Sequence, residues 1–360
     1  MSCSPSPLAS LSRGSVTIGV DGGSTGTTVV VLCNETQKVL AMISCAPSNK
    51  NSVGAQKAQQ VISDGIKQAL KEASSESSVS KSLGLDDVSA VCLGMSGVDR
   101  PNDIEQVRSW MIELFTTHHD TSCNKSSESS TMETSSTPEI YIFNDAVAAI
   151  CSGTLGALHD VICLIAGTGS ICLGTNNDGE SFTRTGGWGP LLGDRGSGFW
   201  LGSKVLLSAV DYTDEYNTEK TVLAQLVKEE LGLNDMSELI PYVYQDKEWS
   251  RIARFAPLCF KAIREHDDPV AKQLVDEMIS NLKRMVETNA RKLKLGTEKK
   301  FTLVYCGSIL THDNSLVGEG LSRALKETFG DQIEIIERPK VDPAVGSALY
   351  YLNNKKQKKN

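Results

Sequence analysis

Short apolar runs and longer amphipathic stretches alternate along the first half of the chain. The short runs are rich in Val, Ile and Leu and end at Gly, Asn or Ser, which is typical of strands. The longer stretches place apolar residues three or four positions apart, as amphipathic helices do. Strands are predicted at 15–21, 27–33, 38–45, 88–94 and 139–143, and helices at 53–74, 101–115 and 144–155.

The second half repeats the same order of elements. Strands are predicted at 160–166, 169–175, 180–185, 301–306 and 332–336, and helices at 314–328 and 343–353. Each half therefore has the order β-β-β-α-β-α-β-α, with a helical region interrupting the second copy. A tandem pair of such units predicts an α/β protein with two similar domains and mixed sheets.

Composition along the chain places the domain boundaries. Thr116 begins a Ser/Thr-rich stretch with few core-forming residues, which predicts a flexible insertion at 116–138. Apolar residues between 271 and 293 form one continuous helical stripe, so this helix is expected to pack in a core. The predicted organisation is a flexible tail at 1–14, a first domain at 15–147, a second domain at 148–342 with a helical insertion at about 194–294, a closing helix at 343–354 that packs back on the first domain, and a basic tail at 355–360.

Composition and charge exclude several classes of function. A net charge of −8 argues against a general nucleic-acid-binding protein, which needs a basic surface. No stretch reaches the roughly 18 apolar residues of a membrane span, and the Ser/Pro-rich start has no apolar core, so neither a membrane anchor nor a secretory signal is expected. The 10 cysteines form no C-x-x-C pair and lie mostly in apolar runs, as reduced thiols of a cytoplasmic protein do.

The hairpin at 15–32 carries the first candidate chemistry. Asp21 closes an apolar strand and is followed by the turn Gly22, Gly23, Ser24, Thr25 and Gly26. Such a turn is either a tight hairpin connection or a place where backbone N–H groups, hydroxyls and an acid meet a phosphate and its metal. The stretch 161–175 repeats this pattern, so two glycine turns are expected to face each other across a cleft that suits a charged ligand.

Motifs along nearly the whole chain carry a family resemblance. The set IGVDGGSTGT, FNDAVAA, LIAGTGS, TGGWGPLLGDRGSGFWLG, VYCGSI and DPAVGSALYYL, in this order, resembles the N-acetylglucosamine kinase group of the BadF/BadG-type ATPases, within the sugar kinase, actin and Hsp70-like ATPase superfamily. The resemblance implies two ribonuclease H-like domains that flank a nucleotide and sugar cleft. It also implies phosphorylation of the 6-hydroxyl of an amino sugar by ATP with Mg²⁺, on a salvage route toward UDP-N-acetylglucosamine. The implied sugar is N-acetyl-D-glucosamine, although the sequence does not fix the sugar or the oligomeric state, for which a homodimer is one option.

Both hairpins are expected to bind the phosphates of the nucleotide, because the sequence contains no G-x-x-x-x-G-K-S/T motif. Backbone groups of Gly22 to Gly26 and the hydroxyls of Ser24 and Thr25 are expected to bind the β- and γ-phosphates. Asp21 is expected to hold Mg²⁺ through water, because this ion keeps most of its hydration shell. The resemblance implies that ATP also contacts Gly167, Thr168, Gly169, Pro257, Gly307 and Ser308.

Asp145 is the predicted catalytic residue. It follows the apolar run 140–143 and opens a helix, so its carboxylate is expected at the carboxyl end of a strand, where α/β proteins place their sites. The kinase interpretation makes Asp145 the group that orients the sugar hydroxyl and accepts its proton. The alternative is that Asn144 or Asp145 only caps the helix.

The sugar side is implied by the resemblance. It places Gly187, Trp188, Gly189 and Asp194 on the sugar, with Ser170 nearby and Asn49 and Asn51 from the first domain. Asn51 stands where the family has a tryptophan, so a ring that would stack on the sugar is missing. The stretch after Gly193 has a second interpretation as a turn into a helix at Gly198, in which Phe199 and Trp200 are core residues and Arg195 pairs with Asp194 or reaches a phosphate.

Two other functions fit the same fold. A reductase-activating ATPase of this group needs a 4Fe–4S cluster held by cysteines, for which Cys151, Cys163 and Cys172 are the candidates. A non-catalytic sensor of nucleotides or sugars would need none of the acids, so Asp21, Asp145 and the two phosphate turns favour the kinase.

Overall fold

A computed structural model describes residues 14–76, 79, 81–98, 100–122, 137–176, 181–245, 248–297, 299–312 and 315–357. The chain divides into two compact units, one made of residues up to 157 together with those from 340 onward, the other of residues 158–339. Of the flexible tail predicted at 1–14, residues 1–13 lie outside the described residues.

Strands and helices follow the predicted order. The strands are β1 Val16–Gly22, β2 Thr27–Cys33, β3 Val39–Cys45, β4 Val88–Met95, β5 Glu139–Asn144, β6 Val161–Ala166, β7 Ser170–Asn176, β8 Ser181–Gly186, β9 Phe301–Cys306 and β10 Ile333–Ile336. The helices are α1 Lys50–Val53, α2 Ala55–Ala73, α3 Pro101–Ser122, α4 Asp145–Thr154, α5 Gly198–Thr213, α6 Leu223–Leu231, α7 Leu239–Tyr244, α8 Trp249–Ala253, α9 Ala256–His266, α10 Pro269–Leu293, α11 Ser308–Thr311, α12 Leu316–Phe329 and α13 Pro343–Gln357.

The two units share one sheet topology. The strand orders are β3-β2-β1-β4-β5 and β10-β9-β6-β7-β8. The second order, read from β8 to β10, repeats the first. In each sheet the first three strands in sequence are antiparallel neighbours, and the last two run parallel to the first. The predicted duplicated α/β fold with mixed sheets is therefore confirmed.

Both faces of the first sheet are covered. Val29 and Val31 of β2 point into a core shared with α2 and α3, whereas Val30 and Leu32 point into a second core shared with α13. Successive side chains of a strand face opposite sides, so burial on both faces explains why β2 is apolar at nearly every position. The C-terminal helix therefore packs on the first unit, as the sequence predicts.

The boundary between the units lies later than predicted. The first unit continues to residue 157 instead of 147, because α4 packs against α13 and β4. The backbone N–H groups of Lys340 and Val341 donate to the carbonyl of Ser152 at 3.0 and 3.2 Å. This contact ties the end of α4 to the segment before α13 and places residues 340–342 in the first unit.

Two segments predicted to be flexible are partly helical. Helix α3 continues to Ser122, seven residues beyond its predicted end, so the start of the Ser/Thr-rich stretch is helical; residues 123–136 lie outside the described residues. Helix α13 continues to Gln357, into the predicted basic tail. Neither extension could be predicted from apolar periodicity, because both added segments are mostly polar.

The helical insertion of the second unit spans α5 to α10. Its longest helix begins at Pro269, where Asp268 is the N-cap and its Oδ1 accepts the N–H of Ala271 at 2.9 Å. The predicted apolar stripe of α10 is buried against the sheet and neighbouring helices, with Ile279 partly exposed. No helix in the described part of the chain has the length and apolar character needed to cross a membrane.

Candidate active site

The first hairpin has a two-residue tip. The N–H of Gly23 donates to the carbonyl of Gly26 at 2.9 Å, which leaves Ser24 and Thr25 exposed at the tip. A Cβ at Gly22 would lie 2.5 Å from Sδ of Met95 and 2.7 Å from Oγ of Ser48, so any side chain there would require both neighbours to move. The backbone N–H groups from Gly22 to Gly26 were all predicted to bind phosphate. This prediction is wrong for Gly23, because its N–H already donates to a carbonyl within the turn.

Asn49 fixes this tip. Its Nδ2 donates to Oγ of Ser24 at 2.7 Å and to Oγ of Ser96 at 3.3 Å, and its Oδ1 accepts the N–H of Asn51 at 3.0 Å as the N-cap of α1. The side chain is buried, and Asn51 beside it is exposed with its Nδ2 3.4 Å from the carbonyl of Gly97. The structure therefore brings Asn49 and Asn51 to the first hairpin, with the Asn49 amide engaged in holding the loop together.

Three carboxylates gather in the first unit. Asp21 lies one residue before the end of β1, and Asp145 directly follows β5; both strands run parallel to β4, so their carboxyl ends share one edge of the sheet. The pKa of Asp21 is raised to about 6, first by burial and then by the negative charges of Asp342 and Asp145. Negative charges held near one another disfavour the ionised form of a carboxyl group, so the three carboxylates lie close enough to influence one another.

Asp342 is a member of this group that the sequence analysis did not place in the site. Its Oδ1 accepts the N–H of Ala344 at 2.8 Å, so it begins α13. Gly19 lets the start of α13 lie directly on β1, because a Cβ at position 19 would be 1.9 Å from the carbonyl oxygen of Ala344. Asp-Pro marks a helix start in the sequence, but nothing local indicates that this helix returns to β1.

Asn144, and not Asp145, caps α4. The Oδ1 of Asn144 accepts the N–H of Ala146 at 2.9 Å, and its backbone is extended, as an N-cap requires. Asp145 is the first helical residue and is partly buried. The alternative in which Asp145 serves as the cap is therefore wrong, and its carboxylate has a different role from that of Asn144.

The second hairpin has the same construction and is bound to α5. The N–H of Gly167 donates to the carbonyl of Gly169 at 3.0 Å, which leaves Thr168 exposed at the tip. The carbonyls of Gly167 and Thr168 accept the N–H groups of Gly198 and Phe199 at 2.7 and 3.1 Å. The first turn of α5 thus orients the hairpin, since N–H groups at a helix start have no partner within the helix.

A cavity of about 290 Å³ in the second unit adjoins this hairpin. It is lined by Gly167, Thr168, Pro257 and Ser308, four residues that the sequence analysis assigns to ATP, and Gly307 precedes Ser308 as the N-cap of α11. Other lining residues were not predicted, because the segments that carry them, mainly α9 and α12, contain no local nucleotide motif. These are Gly198, Ala253, Ala256, Phe260, Arg264, Ile309, His312, Ser315 and Leu316.

Asp194 stabilises the loop between β8 and α5. It is buried in a left-handed backbone conformation, and its carboxylate accepts the backbone N–H groups of Gly189 and Ser170. Burial raises the pKa of Asp194, while these hydrogen bonds and the charge of Arg184 act in the opposite direction. Arg184 is therefore the positive charge that acts on Asp194, whereas Arg195 is exposed and its carbonyl accepts the hydroxyl of Ser170 at 2.9 Å.

Trp188 offers an open aromatic face. It is 70% exposed, and the guanidinium of Arg184 lies 5.7 Å from its ring centroid. Gly187 and Gly189 on either side have φ values of +69° and +83°, which other residues rarely adopt. Phe199 and Trp200, predicted as core residues, are partly buried. The loop therefore holds an exposed indole on a backbone that only glycine permits.

The cysteine geometry argues against an iron–sulfur cluster. Cys172 pairs with Leu164, and Cys163 pairs with Leu173, so Cys163 and Cys172 lie on opposite faces of the second sheet. Burial raises the pKa of Cys172 to about 12 and also raises that of Cys151 in α4, whereas cluster ligands are thiolates. No group of three or more His, Cys, Asp or Glu side chains within the described ranges is arranged to hold a metal ion directly.

The fold, with its two similar sheets, is shared with solved structures of sugar kinases, among them a hexokinase with a TM-score of 0.54 at 14% identity, over 96% of this chain and 86% of that chain. The particular branch follows from comparison with known sequences. The chain belongs to the BadF/BadG/BcrA/BcrD ATPase family, which it matches over residues 18–350. This confirms the resemblance found in the motifs.

Three relatives illustrate the similarity. The chain is 35% identical to the N-acetyl-D-glucosamine kinase of Dictyostelium discoideum, over 94% of this chain and 98% of the relative. It is 28% identical to the N-acetylmuramic acid/N-acetylglucosamine kinase of Clostridium acetobutylicum, over 84% and 88%. A solved structure from Chromobacterium violaceum, provisionally assigned as an N-acetylglucosamine kinase, shares the fold with a TM-score of 0.61 at 23% identity, over 94% and 98%.

Proposed function

We propose that this protein is an ATP-dependent amino-sugar kinase that phosphorylates the 6-hydroxyl of N-acetyl-D-glucosamine. One observation carries the proposal: Asp145 lies at the carboxyl edge of the first sheet, close enough to Asp21 to influence its pKa. The helix that Asp145 begins is capped by Asn144. The 35% identity to an N-acetyl-D-glucosamine kinase supports the choice of sugar.

In this proposal Asp145 orients the sugar hydroxyl and accepts its proton. Phosphoryl transfer needs mostly positioning and charge neutralisation, and a carboxylate that orients the nucleophile completes the set. Asn49, Asn51, Gly187, Trp188, Gly189 and Asp194 are proposed to bind or shape the sugar site. For Asn49 and Asp194, the hydrogen bonds to the surrounding loops favour shaping over direct contact.

The phosphates of ATP are proposed to bind the hairpin tips at Ser24, Thr25 and Thr168, and the adenosine to occupy the cavity at Pro257, Phe260 and Ser308. Asp21, with its hard oxygen donors and raised pKa, is the residue suited to hold Mg²⁺ through water. Bound there, the ion would neutralise charge on the phosphates. No three His, Cys, Asp or Glu side chains among the described residues are close enough to ligate one ion directly, so water is proposed to complete the coordination of Mg²⁺.

The test is a sugar panel with ATP and Mg²⁺, followed by coupled detection of ADP. We expect N-acetyl-D-glucosamine to give the highest kcat/KM, above N-acetylmannosamine, N-acetylmuramic acid and glucose, with the product identified as the 6-phosphate by NMR. ATP binding without sugar-dependent ADP release from any of these sugars would instead identify a non-catalytic sensor.

We also propose a cytoplasmic location, because the described cysteines are free thiols and mostly buried. A homodimer is proposed as the assembly, and light scattering of the purified protein at two concentrations tests it directly.

A further inference from the structure

A large apolar groove lies on the helical insertion, apart from the nucleotide cavity. Helices α5, α7 and α8 form its walls, and its volume is about 1070 Å³. The floor is built from Leu206, Val210, Leu239 and Ile252, with Trp249 beside them. A groove of this size and composition exceeds the usual range for a single small ligand and suits several apolar side chains at once.

The rim of the groove exposes apolar residues to solvent. Leu207, Ile240 and Tyr244 are 54%, 61% and 82% exposed, although each is large and apolar or aromatic. Leu207 comes from α5 and the other two from α7, so apolar surface continues from the floor over both walls. Contiguous exposed apolar surface of this kind usually marks an interaction site.

The charges around the groove are acidic. Among its described lining residues the acids are Asp214, Asp235 and Glu248, and the one basic side chain is Arg251. Arg251 is already engaged, because it donates to the Tyr242 carbonyl at 2.8 Å and lies 4.4 Å from the centroid of the Tyr242 ring. The carboxyl end of α5 adds the negative end of a helix dipole at Asp214.

The acidic charge of the rim indicates which kind of partner the groove can bind. A symmetric dimer would bring the same acidic rim against itself, and an anionic membrane surface would be repelled. A basic amphipathic helix places apolar residues at positions i, i+3, i+4 and i+7 in such a groove and its Lys or Arg side chains against the rim. We propose that this groove docks a basic amphipathic helix of a partner protein.

The test uses the full chain and two fluorescent 18-residue synthetic helices with identical Leu spacing, one with Lys and one with Glu at the polar positions. Anisotropy at physiological salt should show saturable binding of the Leu/Lys helix and at least about tenfold weaker binding of the Leu/Glu helix. Equal binding of both helices, or binding of neither, would overturn the proposal.

Ile240→Glu separates docking from general attraction to an acidic protein. The variant adds a negative charge while removing apolar surface, so docking predicts at least about a tenfold loss of Leu/Lys affinity, and general attraction predicts a gain. Met42→Glu adds the same charge at another exposed apolar position, 47% exposed in the first unit, and should leave binding unchanged. An unchanged or higher affinity in Ile240→Glu contradicts the proposal.

A small apolar occupant is distinguished with the anionic dye 1-anilinonaphthalene-8-sulfonate. Dye fluorescence that Ile240→Glu abolishes, together with no binding of the Leu/Lys helix, would assign the groove to a small apolar molecule and overturn the proposal. Circular dichroism and the thermal midpoint of Ile240→Glu should match the parent chain, since the side chain is 61% exposed.

Discussion

At the scale of single residues, the environment of each aspartate separates roles that the sequence leaves together. Asp268 and Asp342 accept N–H groups at helix starts, and Asp194 accepts two backbone N–H groups in a loop. Asp145 follows a residue that already caps its helix, and Asp21 is partly buried near two other carboxylates. These surroundings support the proposal that the chemistry of the site centres on Asp21 and Asp145.

Replacing Asp145 tests the catalytic role. Asp145→Asn keeps the shape but removes the proton acceptor, so kcat is expected to fall by about 10²- to 10⁴-fold. ATP affinity, measured by calorimetry, should change little. The matched control Asp276→Asn alters an exposed aspartate on α10 and should keep full activity. Near-normal turnover of Asp145→Asn would remove the assignment.

The raised pKa of Asp21 predicts a conflict between activity and stability. A carboxyl with a pKa of about 6 in the folded chain and 3.8 unfolded is protonated more readily when folded, so its ionisation destabilises the fold as pH rises from about 4 through 6. Asp21→Asn should therefore raise the free energy of unfolding at pH 7.5 by about 3 kcal/mol.

The same variant should lose kinase activity, because it removes the residue that we propose holds Mg²⁺. Thermal midpoints without metal at pH 7.5 and pH 4 check the stability effect, since the gain should vanish at pH 4, where the carboxyl is protonated in the folded chain. A gain of equal size at both pH values would show that charge is not its cause.

At the scale of elements, apolar patterning predicts the strands well. Strands β1 to β10 begin or end within about a residue of prediction. Most of them are apolar runs that stand out from their surroundings, whereas β8 is polar and largely exposed. The short helices α1 and α11 were not predicted, since a single turn has no periodicity to detect. Likewise Phe260 and Arg264 of the nucleotide cavity come from α9, whose pattern shows only a packed helix.

The contact between α13 and β1 depends on Gly19. Gly19→Ala should lower stability by about 1–3 kcal/mol, because the added methyl overlaps the Ala344 carbonyl and pushes the helix from the sheet. Denaturation midpoints measure this effect. Gly84→Ala, at a position with no atom within 4 Å of the new Cβ, is the matched control and should be tolerated. Equal midpoints for both variants would contradict this placement of α13.

At the scale of the whole molecule, each unit has its own core and its own group of candidate residues. The cavity proposed to bind the nucleotide is lined only by residues of the second unit, and the three carboxylates belong to the first. The sequence indicates the duplication through its repeated hairpins. The return of the closing helix to the first unit is also predicted, but its contact with β1 is not, because that contact depends on surface complementarity between α13 and a distant sheet.

This separation predicts that nucleotide binding can be weakened alone. Phe260→Ala should raise the KM for ATP about tenfold with little change in the KM for sugar, since it removes apolar contact from the cavity. Steady-state kinetics with each substrate varied in turn measure both values. Phe182→Ala, at a 47% exposed position on β8, serves as the control. Equal changes in both KM values in Phe260→Ala would contradict the assignment of the cavity.

The return of α13 to the first sheet also sets the order of events during synthesis. Val30, Leu32, Ala90 and Cys92 are made before the second unit, yet their covering residues, such as Ala344 and Ala348, are made after it. Until α13 has been made, this face of the first sheet lacks the cover that α13 provides, while residues 158–339 can already fold. A nascent chain would thus expose an apolar sheet face to chaperones or to neighbouring chains on the same messenger, and a stop codon before residue 340 would make that exposure permanent.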